Sequence, residues 1–253
     1  MLLKITEKCS MGCTHCMNNA TTDGQHMPEQ VFDDSLDFLI KNNVHQSIIL
    51  SGGEPTEHPD FVFLIQKLIS KFEHEKKRTI VTITSNGFWC LDNPEVSKTI
   101  AKGSEYVTVF WQISTDKRFY PRELPLHKKL WREENFELCD NCVEQVYPQG
   151  RALTNNIPWQ SKASRCFNVR AITKQLPNPT VESVVNALMQ RQKFCVPAIR
   201  IDGSIGVGES DLCPKVASIY DSSDEIIRRI KEFKCHQCDH INNNLSPMYK
   251  QFL

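Results

Sequence analysis

The chain has 253 residues, and its 30 Lys and Arg are matched by 30 Asp and Glu. That length suits one domain of barrel size, or such a domain with a small appendage, and it is enough to bury a substantial core. Zero net charge gives no field to gather nucleic acid or an anionic membrane surface, and no apolar run approaches the roughly 18 to 20 residues of a membrane span. A cytoplasmic protein with small or neutral partners is expected, since the N-terminus also runs straight into a strand with no secretory apolar region.

Taken in order, residues 2–6 (Leu-Leu-Lys-Ile-Thr) predict a short strand, followed by a polar loop holding Cys9, Cys13 and Cys16. Residues 28–42 place Val31, Leu36, Phe38 and Leu39 on one helical face behind Pro28, and predict a well-capped helix. The apolar run 47–50 opens into Ser51-Gly52-Gly53-Glu54-Pro55, which suits a buried parallel strand ending in a tight loop. A second helix is expected over 59–72. The β-branched run 79–84 then leads to Ser85-Asn86-Gly87, a helix over 93–102 follows, and 106–113 predicts a fourth strand ending at Ser114-Thr115-Asp116.

Strand, loop and helix in alternation argue for a parallel sheet with crossover helices, whose chemistry collects in the loops after the strands. All four polar motifs fall in such loops. Between 118 and 178 the pattern weakens: Pro121, Pro125, Pro148 and Pro158 interrupt it, and 136–138 and 143–146 suggest only short strands. Residues 180–192 read as a helix again. Next, 198–201 and 204–207 flank Asp202-Gly203 as a two-residue hairpin, and 222–233 predict a closing amphipathic helix with Ser223 as its cap. His26, His45, His58, His74 and His127 have no evident partners and read as surface residues; Arg151 and Arg165 could meet an anionic substrate or shield a metal cluster, with solvated surface the favoured reading.

Eleven cysteines are many for a compartment that keeps thiols reduced, so metal ligation or catalysis is favoured over a disulfide framework. Three of them within eight residues, just past a strand, point to one metal centre. Three thiolates can hold three irons of a cubane and leave the fourth open to a ligand. A zinc loop is the alternative.

The pattern Cys9-x3-Cys13-x2-Cys16, with the ring of His15 before the last thiol, resembles the signature of the radical SAM superfamily, where an aromatic residue usually fills that place. The resemblance implies a [4Fe-4S] cluster whose open iron is chelated by S-adenosylmethionine (SAM). One-electron cleavage of the sulfonium then yields a 5′-deoxyadenosyl radical that abstracts hydrogen from substrate. Gly52-Gly53-Glu54-Pro55 is similar to the family's second motif, whose glycines admit close approach and whose acid accepts from the methionyl ammonium. Ser85, Asn86, Ser114 and Asp116 stand where the family holds the ribose and carboxylate of the nucleoside; as ordinary turn residues they need no ligand.

A second set, Cys195-x12-Gly208-x4-Cys213 followed by Cys235-x2-Cys238, resembles the twitch half of the SPASM-type extension, which implies an auxiliary [4Fe-4S] cluster on those four thiols. Cys139, Cys142 and Cys166 stay unassigned and could redraw that set. Cys90 and Cys166 read as bystanders, and a structural zinc on Cys235 and Cys238 with His236 or His240 is the alternative. The implied architecture is α/β: a partial (β/α)6 barrel of TIM type over 1–178, with a small α+β twitch-type extension over 179–253.

The resemblance further implies an external electron donor of flavodoxin or ferredoxin type. It assigns no catalytic side chain. Short members with one auxiliary cluster include an aminocyclitol dehydrogenase, so oxidation of a small molecule is the expected reaction. Peptide modification is the alternative within the family, and a zinc-stabilised binding protein without catalysis is the alternative outside it.

Overall fold

In the computed structural model the described residues are 1–89, 103–114, 118–122, 135–139, 150–157, 176–191, 196–210 and 213–233. Their elements run β1 (Leu2–Thr6), α1 (Glu29–Lys41), β2 (Ser47–Gly52), a 3-10 turn (Pro55–Glu57), α2 (Phe61–His74), β3 (Thr79–Ser85), β4 (Val107–Ser114) and β5 (Phe136–Cys139). After them come α3 (Gly150–Thr154), α4 (Val181–Arg191), β6 (Ala198–Ile199), β7 (Ser204–Gly206), β8 (Lys215–Ser218) and α5 (Ser223–Glu232). The strands expected from sequence over 2–6, 47–50, 79–84 and 106–113 all form. The helix expected over 93–102 and the strand over 143–146 lie outside the described residues.

One eight-stranded sheet orders these strands β5-β4-β3-β2-β1-β6-β7-β8. Strands β1 to β5 pair in parallel, β6 joins the other edge of β1 in parallel, and β7 and β8 add antiparallel. The sheet is therefore open, as in a partial barrel. In a six-unit barrel the sixth strand would follow β5. Among the described residues, β6 instead sits beyond β1 and carries the hairpin with it.

Side-chain alternation gives the sheet two unlike faces. Leu3, Ile5, Ile48, Leu50, Val81, Ile83, Val109, Trp111 and Ile113 are almost fully buried, as are Phe32, Leu36 and Leu39 of α1 and Leu64, Leu68 and Phe72 of α2; all belong to one core. Each large side chain so buried contributes about 1.5–3 kcal/mol. The intervening residues are mostly polar: Lys4 and Thr6, Ser51, Thr82 and Thr84, Gln112 and Ser114. A parallel sheet covered on both faces reads as continuous apolar runs; this alternation marks a lumen that can hold a polar ligand.

The C-terminal elements close onto the same core through Val184 and Leu188 of α4, Ile205, Val216 and Ala217 of the hairpin, and Ile226 and Ile230 of α5. Gly203 turns the hairpin at φ +78°, while Asp202 accepts from the Ser204 amide at 3.0 Å and hydroxyl at 2.6 Å. The third strand, β8, was not evident in four residues following a proline. Two cap expectations need correction. Helix α5 is capped by Ser222, not Ser223: the Ser222 hydroxyl accepts from the Glu225 amide. Helix α1 has no side-chain cap, so its start rests on the fixed φ of Pro28.

Candidate active site

The cysteine loop begins where β1 ends and is folded back on itself by backbone bonds. The Cys9 amide donates to Thr21 O at 2.8 Å, Thr21 N donates to Glu7 O, and Met27 N donates to Ile5 O. Within the loop, Gly12 takes φ +69° and the Cys16 amide donates to Cys13 O at 3.3 Å. Ser10 donates to Glu57 through both its amide and hydroxyl, at 2.8 and 2.7 Å. The ring of His15 packs on Phe119 and Tyr120, with centroids 4.7 and 5.7 Å away. Burial pushes the Cys9 thiol up to about 11, and burial together with the neighbouring thiols pushes Cys13 up to about 12.

Helix α3 clamps this loop from outside. Arg151 donates through Nε to Cys13 O at 2.8 Å, through Nη1 to Ala20 O, and through its amide to Cys16 O. Asn155 adds a bond to Thr14 O at 2.8 Å. The surface reading of Arg151 is thus corrected; nothing in its local sequence signals that three carbonyls of a loop more than a hundred residues away await it. Arg165 lies outside the described residues. The surface reading also fails for His45 and His58, which are 5% and 4% exposed. The His58 Nδ1 accepts from the Asp60 amide, so Nε2 carries the hydrogen and donates to Met27 O at 3.0 Å. His74 is exposed, and His127 is outside the described residues.

The turn after β2 lies directly on the base of the cysteine loop. Gly53 N donates to Thr6 O and Glu54 N to Lys8 O, both at 2.7 Å. A Cβ on Gly52 would stand 2.2 Å from Thr6 O, and one on Gly53 would stand 2.0 Å from Lys8 O. Only glycine permits that approach. Glu54 is 3% exposed and accepts from Ser85 Oγ at 2.8 Å, Asn86 N at 2.7 Å, and Thr56 through its hydroxyl at 2.7 Å and its amide at 3.3 Å. Burial raises its carboxyl above the usual range, while these donors oppose the rise. In this arrangement Glu54 knits the loops after β2 and β3 together. Ser85 Oγ accepts in turn from Gly87 N and Trp89 Nε1.

A cavity of about 500 Å³ opens over these loops. It brings together Cys9, Cys13, Cys16, Gly52, Gly53, Glu54, Ser85, Asn86 and Ser114, nine residues singled out from the sequence. Asp116, Cys195, Cys235 and Cys238 lie outside the described residues, as do Cys142 and Cys166. Cys213 is buried at the foot of the hairpin, near the cavity in sequence but not lining it. Among the described residues no three metal-ligating side chains converge on the position of a single ion; a cluster with one iron per thiol requires its thiols farther apart than one ion does.

Sequence reasoning missed Asn18, Gln112, Tyr120 and Glu209, all of which line the cavity. Gln112 could have been found from its place two residues before Ser114 on the lumen face of β4. Glu209 could not, because it arrives from the far end of the chain: its Oε1 accepts from Asn18 Nδ2 at 2.8 Å and from Ser51 Oγ at 2.7 Å.

An open parallel half-barrel with a thiol loop, a bare-backbone glycine turn and a polar cavity at the strand ends defines an α/β enzyme that holds its chemistry in a bound cofactor. Residues 3–157 match the model of the radical SAM superfamily, and the chain belongs to that superfamily. Its members use a [4Fe-4S] cluster with SAM. Two solved structures share the fold. The crystal structure of BtrN in complex with AdoMet and 2-DOIA superposes with a TM-score of 0.58 at 10% identity, covering 92% of this chain and 83% of that one. Native anSMEcpe with bound AdoMet and Cp18Cys peptide gives 0.53 at 14% identity, covering 99% and 85%. No curated protein sequence matches the chain. Among the described residues no helix is long and apolar enough to cross a membrane.

Proposed function

We propose that this chain is a radical SAM oxidoreductase that removes hydrogen from a small biosynthetic substrate seated in the cavity. One observation carries the reading: part of the wall of that cavity is Glu209, supplied by the hairpin that four residues later bears the buried thiol of Cys213. On this reading the segment proposed to hold a second cluster also contributes a wall of the proposed substrate space. When bound, a SAM-chelating cluster on Cys9, Cys13 and Cys16, and a closed one on Cys195, Cys213, Cys235 and Cys238, would supply sulfonium cleavage, hydrogen abstraction and a resident electron acceptor.

The residues present fit the first group. Three soft thiols stand together on the cavity wall, and the adjoining Gly52-Gly53 turn bares its backbone where a Cβ would fill the space. At neutral pH the buried thiols of Cys9 and Cys13 carry protons, so loading the site must displace them. Asn86, Ser114 and Gln112 offer polar contacts to a nucleoside; Asp116, outside the described residues, is proposed as a further contact on the family resemblance alone. At the second group, Arg200 is 6% exposed and donates through Nη2 to Ser210 O at 3.0 Å and to Cys213 O, with no carboxylate partner among the described residues. A buried cation held on the backbone carbonyl of Cys213 suits an anionic cluster on that residue. The assignment of 1–178 as the core and 179–253 as the twitch-type extension belongs to the same proposal.

The cavity near 500 Å³ falls in the range of about 300–1,000 Å³ typical of small-molecule sites; the choice of a small substrate over a peptide is part of the proposal. A flavodoxin- or ferredoxin-type protein is the proposed electron donor, with dithionite as its substitute in vitro. The test is transfer of deuterium into 5′-deoxyadenosine from labelled small alcohols and amines, run beside labelled peptides. Transfer from a small molecule is expected; transfer from peptides alone would overturn the substrate assignment.

A further inference from the structure

Among the described residues, two acceptor atoms in the cavity have no donor. Asn18 is 7% exposed, and its amide nitrogen is doubly used, donating to Gly52 O at 3.0 Å and to Glu209 Oε1 at 2.8 Å. Those two bonds fix which end of the amide is oxygen. That oxygen, Asn18 Oδ1, is buried with no partner, a state costing about 1–3 kcal/mol unless a ligand supplies the hydrogen. Glu209 commits only Oε1, to Asn18 and Ser51. Its Oε2 has no donor, and no Lys or Arg pairs with it among the described residues. Both residues line the same cavity.

Among the described residues the site combines one carboxylate oxygen and one amide oxygen, both acceptors, and no Lys or Arg forms an ion pair with that carboxylate; the buried Lys4, in register with Ser51, has its ammonium 3.4 Å from Glu7 Oε1. Glu54, the acid expected to meet an ammonium group, already has four hydrogen-bond donors from the protein. Glu209 has two donors and is half-buried, so it keeps capacity to bind.

We propose that Asn18 and Glu209 form a binding site for a protonated amine inside the cavity, with Ser51 orienting the carboxylate. The amine belongs either to the methionyl part of SAM or to a second, amine-bearing molecule. Glu209→Gln is the discriminating variant: Gln can still accept from Asn18 and Ser51 while the charge is lost. Binding would be measured on the anaerobically reconstituted holoenzyme, beside its iron content and melting temperature. The first arm titrates SAM and SAM lacking its amino group; the second, at saturating SAM, titrates cyclohexylamine and cyclohexanol.

Loss of a charge-assisted bond in a shielded site predicts about ten- to hundredfold weaker binding of one amine by Glu209→Gln, with the matched amine-free probe unchanged. Weakening confined to SAM assigns the site to SAM; weakening confined to cyclohexylamine assigns it to a second molecule. Equal weakening of an amine and its amine-free partner, or none in either arm, would overturn the proposal. The inference rests on the radical SAM reading in the first arm only. If the wild-type holoenzyme bound no SAM, that reading would fail while the cyclohexylamine arm, run without SAM, still judged the amine site.

Discussion

Gly53→Ala tests whether the glycine turn and the cysteine loop form one rigid seat. The new methyl carbon would start 2.0 Å from Lys8 O and 2.6 Å from Lys8 C, and ordinary contact begins at 3.4 Å, so backbone must part from backbone by more than about 1 Å. The bonds from Gly53 N to Thr6 O and from Glu54 N to Lys8 O, both 2.7 Å, lie on that seam and would stretch or break. Overpacking costs about 1–3 kcal/mol, and two weakened backbone bonds add about 0.5–1.5 kcal/mol each. At roughly 2–4 °C per kcal/mol for a chain of this size, the melting temperature should fall by about 5–20 °C. A displacement on the order of 1 Å near reacting groups costs about a hundredfold in rate, so SAM cleavage with dithionite should fall at least that far in whatever protein stays folded. Gly12→Ala is the control: it has positive φ but no atom within 4 Å of its added carbon, so it should lose only about 1–2 kcal/mol. Equal, small effects from the two variants would refute the argument from packing.

Three further perturbations follow from the same geometry. Arg151→Gln removes the bonds to Cys13 O and Ala20 O, and iron content after reconstitution should drop with little change in far-ultraviolet circular dichroism; full iron loading would contradict the clamp. Glu54→Gln places an NH2 against a pocket made only of donors, which should cost about 1–3 kcal/mol in a urea unfolding series. In the hairpin, partial burial pushes the Asp202 carboxyl up, but bonds from Lys215 and Ser204 outweigh it and hold it at about 2, below the usual 3.8. A depressed carboxyl stabilises the fold above its ordinary value, and that share is lost as pH falls from near 4 toward 2. Asp202→Asn should therefore be less stable than wild type at pH 5, and the gap should close near pH 2.

Much of the cavity was legible because its parts sit at strand ends, where a run of β-branched residues breaks into glycine, serine or cysteine. Gly52-Gly53 was readable because close approach leaves no other residue possible. What stayed hidden came from afar. Arg151, Asn18 and Glu209 reach the loops across 138, 34 and 158 residues of separation, and no local period announces such a pairing. His58 misled for a related reason: a histidine between acidic and proline neighbours reads as solvated, yet Met27 O and the Asp60 amide fix both ring nitrogens. The place of β6 beyond β1 was equally invisible, because two strand residues cannot state which edge they join.

The most direct test of the whole account is anaerobic reconstitution with iron and sulfide, followed by SAM and dithionite, on wild type and on a Cys9→Ala, Cys13→Ala, Cys16→Ala triple variant. The account predicts about eight irons per wild-type chain and formation of 5′-deoxyadenosine, and about four irons with no 5′-deoxyadenosine in the variant. Stoichiometric zinc without SAM cleavage in the wild type, or cleavage that survives loss of the three thiols, would contradict it.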